Sequence, residues 1–233
     1  MRINKFLASC GVGSRRKVEE YILNGDISVN GNIVTDLSTD IDENKDVVKY
    51  NGKNVRLQND KVYLMLNKPK GYICSVKDDK DRPTVMKLIK DKNRVYPVGR
   101  LDYNTEGLLL LTNDGDFANK IMHPSGRISK TYVVTLKSKP SPEQLDKLRK
   151  GVMLDDGMTQ PAIVDRPKNV DGLYQVNITI FEGRNRQVRR MFEHIGYKIY
   201  NLQRIKIGKL ELGDLLLKES RYLSENEINQ IFM

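Results

Sequence analysis

Two stretches of this chain hold residues whose types and spacing could do chemistry. In residues 99–115, GRLDYNTEGLLLLTNDG, a carboxylate at Asp102 follows Arg100 by two positions and stands just before four consecutive leucines, 108–111. An ionised carboxylate so placed can serve as a base or a nucleophile. A cation close to it favours the charged form wherever water is partly excluded. On an open surface the same two residues would only be an ion pair worth roughly 0–1 kcal/mol. The second stretch, 182–191, reads EGRNRQVRRM and packs Arg184, Arg186, Arg189 and Arg190 into ten residues. Such a density of guanidinium groups suits the approach of a polyanion.

The elements that must position these groups can be read from the apolar pattern. Leu108 to Leu111 can bury a central strand, and the turn formers Asn104 and Gly107 let the preceding segment cross the sheet edge, so Asp102 is expected at the rim of a rigid scaffold. Further strands are expected from Val62 onward, interrupted at Pro69 and Gly71, and at 130–136, 160–164 and 174–181. Helical spacing recurs at 141–150, with Pro142 at its start, and at 185–195. Asp114 and Asp116 read as turn residues after the leucine strand. Strands without a regular strand–helix–strand alternation predict an α+β fold, a mixed and mainly antiparallel sheet with peripheral helices.

The first sixty residues have a different texture. Ile3, Phe6 and Leu7, then Val18, Tyr21 and Ile22 after a joint at 11–14, predict two short amphipathic helices, the second capped by Ser14. Ile27 and Val29, the Asn30-Gly31 turn, and Ile33 and Val34 add a small hairpin. Lys5, Arg15, Arg16 and Lys17 gather at or near the joint, where side chains and a helix N-terminus could contact phosphate together. The polar run 51–61 reads as a linker, giving domains at 1–60 and 62–233.

Composition narrows the function classes. A chain of 233 residues with 39% hydrophobic residues can bury a substantial core, and 40 Lys and Arg against 30 Asp and Glu give a net charge of +10. The excess favours nucleic acid or an anionic membrane surface as partner. No apolar run approaches the roughly 18 residues of a membrane span, and the N-terminus lacks a signal-peptide core, so a cytoplasmic protein is expected. Cys10 and Cys74 lack CxxC spacing and read as buried thiols, and His123 and His194 lack metal-site spacing, so no metal is expected. Phosphate-loop and dinucleotide-turn motifs are absent; Gly11 and Gly13 form only a fragment of one.

The N-terminal spelling RINKFLASCGVGSRRKVEEYILNGDISVNGNIV resembles the small S-four RNA-binding domain. NKPKG at 67–71, GRLDYNTEGLLLLTNDG at 99–115, KTY at 130–132 and EGRNRQVRRM at 182–191 resemble, in the same order, the RNA pseudouridine synthases of the RsuA/RluB/E/F type. The resemblance spans essentially the whole chain. It implies isomerisation of uridine to pseudouridine within RNA: cleavage of the N1 glycosidic bond, rotation of the uracil, and reattachment through C5, with no cofactor. It carries the essential aspartate over to Asp102, the arginine that pairs with it to Arg189, and the aromatic residue on which the uracil stacks to Tyr132. Arg100 and Lys130 are then expected to contact phosphate, Arg100 alternatively to hold a displaced base. Arg184, Arg186 and Arg190 are expected to hold the flanking RNA that offsets the cost of flipping the uridine out. Asn67 and Glu182 read as structural, capping turns or bracing the arginines.

Ribosomal RNA is the expected partner of a monomeric enzyme, with the large subunit ahead of the small. A non-catalytic RNA-binding assembly factor would use the basic groups without Asp102. A glycoside hydrolase would need two positioned carboxylates, and only Asp102 sits in a suitable motif.

Overall fold

The computed structural model describes residues 1–58, 60–78 and 80–233; Asn59, in the predicted linker, lies outside them. The chain divides into two compact units, 1–62 with 113–115, and 63–112 with 116–233. Val62 and 113–115 join the first unit because Asn113 Oδ1 accepts from Val62 N and Asn113 Nδ2 donates to Asp60 O, each at 2.8 Å.

In the first unit, helices Ile3–Ser9 and Arg15–Leu23 pack with a small sheet over Ile3, Phe6, Leu7, Val18, Ile22, Ile27 and Val48. Ser14 caps the second helix by accepting from Lys17 N at 3.2 Å, as its position before an apolar run predicts. The sheet adds a second hairpin, Val48–Tyr50 with Lys53–Asn54, whose turn and second strand fall inside the 51–61 run that the polar composition suggested was linker. The reason is local: Asn51 and Gly52 both adopt positive φ, 47° and 75°, which suits a tight hairpin turn.

In the second unit ten strands form one sheet among the described residues. Ile163–Val164, Leu173–Ile180, Lys130–Leu136 and Asn201–Ile207 follow one another through antiparallel pairing. Glu106–Thr112, Tyr63–Lys68 and Ser220–Tyr222 continue it the same way, and the two runs meet where Asn201–Ile207 lies parallel to Glu106–Thr112. The sheet is therefore mixed and mainly antiparallel. Leu108, Leu109, Leu110 and Leu111 are at most 1% exposed, as a strand covered on both faces requires.

Some predicted elements shift. The strand expected at 160–164 is confined to Ile163–Val164, and the helix expected at 185–195 is Gln187–His194, with Arg186 at its N-cap in the left-handed region. Asp116 is not a turn residue: it sits in the first turn of helix Gly115–Met122, beside the helix's positive end, while Phe117, Ala118 and Ile121 bury the other face. The strand Asn201–Ile207 has no counterpart in the sequence reading, because Arg204 occupies an inward position and a register shift between Arg204 and Lys206 breaks the alternation. Both cysteines are free and half-buried rather than fully enclosed; burial still pushes the Cys10 thiol up to about 12.

Candidate active site

A cavity of about 580 Å³ opens within the second unit, lined among others by Asp102, Thr105, Lys130, Tyr132, Arg189 and Arg204. Its carboxylate is positioned by backbone. Thr105 N donates to Asp102 O at 3.0 Å, closing the turn that leads into strand Glu106–Thr112. Lys68, fully buried at the end of strand Tyr63–Lys68, donates to Asp102 O at 3.0 Å, Thr105 O at 2.8 Å and Pro69 O at 3.0 Å. All three ammonium protons are thus given to backbone carbonyls, two of them in the turn. Burial lowers the Lys68 ammonium below the ordinary lysine range, with Asp102 among the charges that oppose the shift.

Arg189 projects from helix Gln187–His194. Its Nη2 donates to Asn104 O at 2.7 Å and to Thr105 Oγ1 at 3.2 Å, and its Nε lies 3.8 Å from Asp102 Oδ2. Burial and the nearby Arg186 act against the Arg189 charge, and Asp102 acts for it. The Asp102 side chain keeps 29% exposure against 11% for Arg189, so the carboxylate remains open to the cavity.

The opposite wall comes from the sheet. Tyr132, 8% exposed, stands directly across from Arg204 in the antiparallel pairing of Lys130–Leu136 with Asn201–Ile207, which puts both side chains on one face. Lys130, two residues from Tyr132 and on the same face, donates to Ile128 O at 3.0 Å. Burial first, and Arg204 second, lower its ammonium. Arg100 lines the cavity as an exposed residue; the guanidinium beside Asp102 is that of Arg189.

The arginine run separates into two groups. Arg184 donates to Glu182 Oε2 at 3.0 Å and to Gly157 O at 2.9 Å, and Arg190 holds both Asp156 oxygens at 2.9 Å. These two bind the protein itself, fastening the hairpin of Met153–Leu154 and Gly157–Met158 to the segment at 182–190. Arg186 remains exposed at the cavity. Glu182 also accepts from Gln160 N at 3.0 Å and Gln187 Nε2 at 2.7 Å, and Asn67 donates to Leu215 O at 2.7 Å; both are bracing residues. In the first unit Arg15 and Arg16 are exposed at the helix start, while Lys17 pairs with Glu20 at 2.5 Å. Among the described residues no group of three His, Cys, Asp or Glu is arranged to hold a metal ion.

Lys68 and Arg204 were not singled out from sequence. Lys68 lies within NKPKG, yet nothing in a charged residue's type announces that it will be fully buried. Arg204 interrupts the apolar alternation that would have revealed its strand.

A carboxylate and an aromatic ring facing one cavity, with guanidinium groups around them, can hold a flat ligand carried on an anionic backbone and act on it. The RNA pseudouridylate synthase family pattern matches residues 62–194, and the S4 domain pattern matches 1–47. The chain is 44% identical to the ribosomal large subunit pseudouridine synthase B of Bacillus subtilis, over 99% of this chain and 95% of that one. It is 42% identical to the uncharacterized RNA pseudouridine synthase of Aquifex aeolicus, over 100% and 94%. A solved pseudouridylate synthase crystal structure superposes with a TM-score of 0.70 at 33% identity, covering 99% of both chains.

Proposed function

The chain belongs to the RNA pseudouridylate synthase family, and from that premise we propose that its substrate is a uridine of large-subunit ribosomal RNA, modified in the cytoplasm by a monomeric enzyme. The observation that carries the choice of RNA is the 44% identity, over nearly the whole of both chains, with a protein named for the large subunit. The choice of reacting groups rests on the cavity that Asp102 and Tyr132 share.

In this reading the target uridine leaves its stack and enters the cavity with its uracil against the Tyr132 ring. Asp102, whose carboxylate stays open to the cavity while Glu182 is taken up by Arg184 and Gln187, acts at the ribose while Arg189 steadies it. The N1–C1′ bond breaks, the base turns, and the C5–C1′ bond forms; C5 gives up a proton and N1 gains one, so the product is an isomer. Arg100, Lys130 and Arg186 contact the RNA around the target nucleotide, and Lys5, Arg15, Arg16 and Lys17 of the first unit contact phosphates further along. Arg184 and Arg190, engaged with Glu182 and Asp156, shape the frame rather than grip the RNA.

The test is to incubate unmodified ribosomal RNA of both subunits with the wild-type protein and with Asp102→Asn, then map pseudouridine by an adduct that stops reverse transcription. New stops in large-subunit RNA with the wild type alone are expected. Stops in small-subunit RNA, or equal stops with both proteins, overturn the reading.

A further inference from the structure

Arg204 is the most enclosed guanidinium on the cavity wall, at 4% exposure. Its Nε donates to Leu108 O at 2.8 Å, and its Nη2 is buried with no hydrogen-bond partner. Buried polar groups ordinarily find partners, so an orphaned guanidinium nitrogen beside a ligand cavity calls for an explanation.

The register shows what surrounds it. Across the sheet, Lys68 pairs with Gly107, Gly107 with Arg204, and Arg204 with Tyr132. The glycine leaves no side chain between the two cations. Lys130 lies on the same face two residues from Tyr132, and Arg204 acts on its charge. Among the described residues neither Arg204 nor Lys130 forms an ion pair, and Asp102 has Arg189 at its side. Asp102 and Glu106 act on the charge of Lys68, but the positive charge of Arg204 and Lys130, on the face they share with the ring of Tyr132, has no carboxylate paired with it among the described residues.

We propose that Arg204 is a catalytic residue, its guanidinium facing the uracil held on Tyr132 and balancing the negative charge the base acquires as the N1–C1′ bond breaks. The proposal rests on the substrate reading above. When that bond breaks, its electron pair leaves with the uracil and spreads over N1, O2 and O4. The pair at C5 then forms the bond to C1′, the C5 proton passes to solvent, and N1 takes up a proton. Arg204 keeps its own protons throughout; it supplies charge and N–H donors fixed in place before the reaction, in an enclosed site where such groups act more strongly than in water. Those donors also favour uracil over cytosine, whose amino group presents a donor where uracil presents the O4 acceptor.

The test uses the full-length protein and unmodified large-subunit ribosomal RNA labelled with tritium at uridine C5, under single-turnover conditions, with RNA affinity measured in parallel. Arg204→Gln should release tritium at least 100-fold more slowly with RNA Kd within twofold of wild type, and Arg204→Lys, which keeps the charge, should fall between them. A rate for Arg204→Gln within threefold of wild type, or a loss confined to RNA affinity, overturns the proposal. If Arg204→Gln does not fold, Arg204→Lys decides: a rate about tenfold lower at unchanged Kd supports it, and the wild-type rate or weakened binding overturns it. If the wild type itself releases no tritium, the substrate reading has failed and the proposal falls with it, an outcome distinct from a defect confined to the variants.

Discussion

Arg189 Nε stands 3.8 Å from Asp102 Oδ2, near enough for charge attraction and too far for a hydrogen bond. The arginine is instead tied by Nη2 to Asn104 O and Thr105 Oγ1, in the turn that follows the aspartate. A cation is thereby held beside the carboxylate without occupying it. Arg189→Gln should lower tritium release from labelled RNA by about 10²-fold, the order lost when one fixed electrostatic group is removed, and Asp102→Asn should abolish it. An Arg189→Gln protein that turns over at the wild-type rate would contradict this arrangement.

Gly107 has a φ of +106°, and a Cβ there would lie 2.2 Å from Arg204 O. Gly107→Ala meets both backbone strain and a backbone clash that no rotamer change relieves. A loss of about 2–5 kcal/mol in urea unfolding is expected, and a loss below about 0.5 kcal/mol would show that the strands separate more easily than their pairing implies.

Lys68→Met keeps the length of the side chain and removes its three donors, leaving the carbonyls of Pro69, Asp102 and Thr105 unpaired in the interior. The expected cost is roughly 2–4 kcal/mol. Because two of those carbonyls belong to the turn that presents Asp102, the variant should also be slower than wild type at temperatures where calorimetry shows it fully folded.

RNA affinity should fall with salt as counterions are released. If Arg15 and Arg16 contact phosphate as proposed, Arg15→Ala or Arg16→Ala should reduce the slope of log Kd against log salt by about 1 in magnitude. Arg190→Ala should leave the slope unchanged and lower Tm instead, since its guanidinium is committed to Asp156. Titrations at four salt concentrations separate the two classes.

Glu227 accepts from Arg221 at 2.6 and 3.0 Å and closes a capping box with Ser224. The Arg221 contact is the main cause that holds its carboxyl down to about 2, with Ser224 contributing. The folded-state value lies below the unfolded one, so its stabilisation is complete above the ordinary carboxylate range and is lost as pH falls through about 2. The Tm difference between wild type and Glu227→Gln should therefore narrow from pH 5 towards pH 2; a constant difference would remove Glu227 from acid stability.

What could be read in advance was what local pattern encodes. The leucines at 108–111 announced a buried strand, and the apolar spacing around Ser14 announced a capped helix. The approach of Arg189 to Asp102 was expected only through resemblance, since no periodicity links residues 87 positions apart. Lys68 and Arg204 were missed because burial of a cation depends on which carbonyls the tertiary fold delivers to it. Arg184 and Arg190 looked like free basic groups because Asp156, which binds them, lies some thirty residues earlier in the chain.

The parallel joint in the large sheet has a mechanical meaning. Only two residue pairs, Gln203 with Glu106 and Arg204 with Gly107, register its two antiparallel halves. The turn bearing Asp102 enters from one half and Tyr132 belongs to the other. Side chains carry the rest of the connection: Arg204 Nε donates to Leu108 O, Asn201 Nδ2 donates to Glu106 Oε2, and Arg189, reaching from the segment after Leu173–Ile180, ties its half to the turn at 104–105, so carboxylate and ring are held in relation by a handful of links rather than by a long ladder.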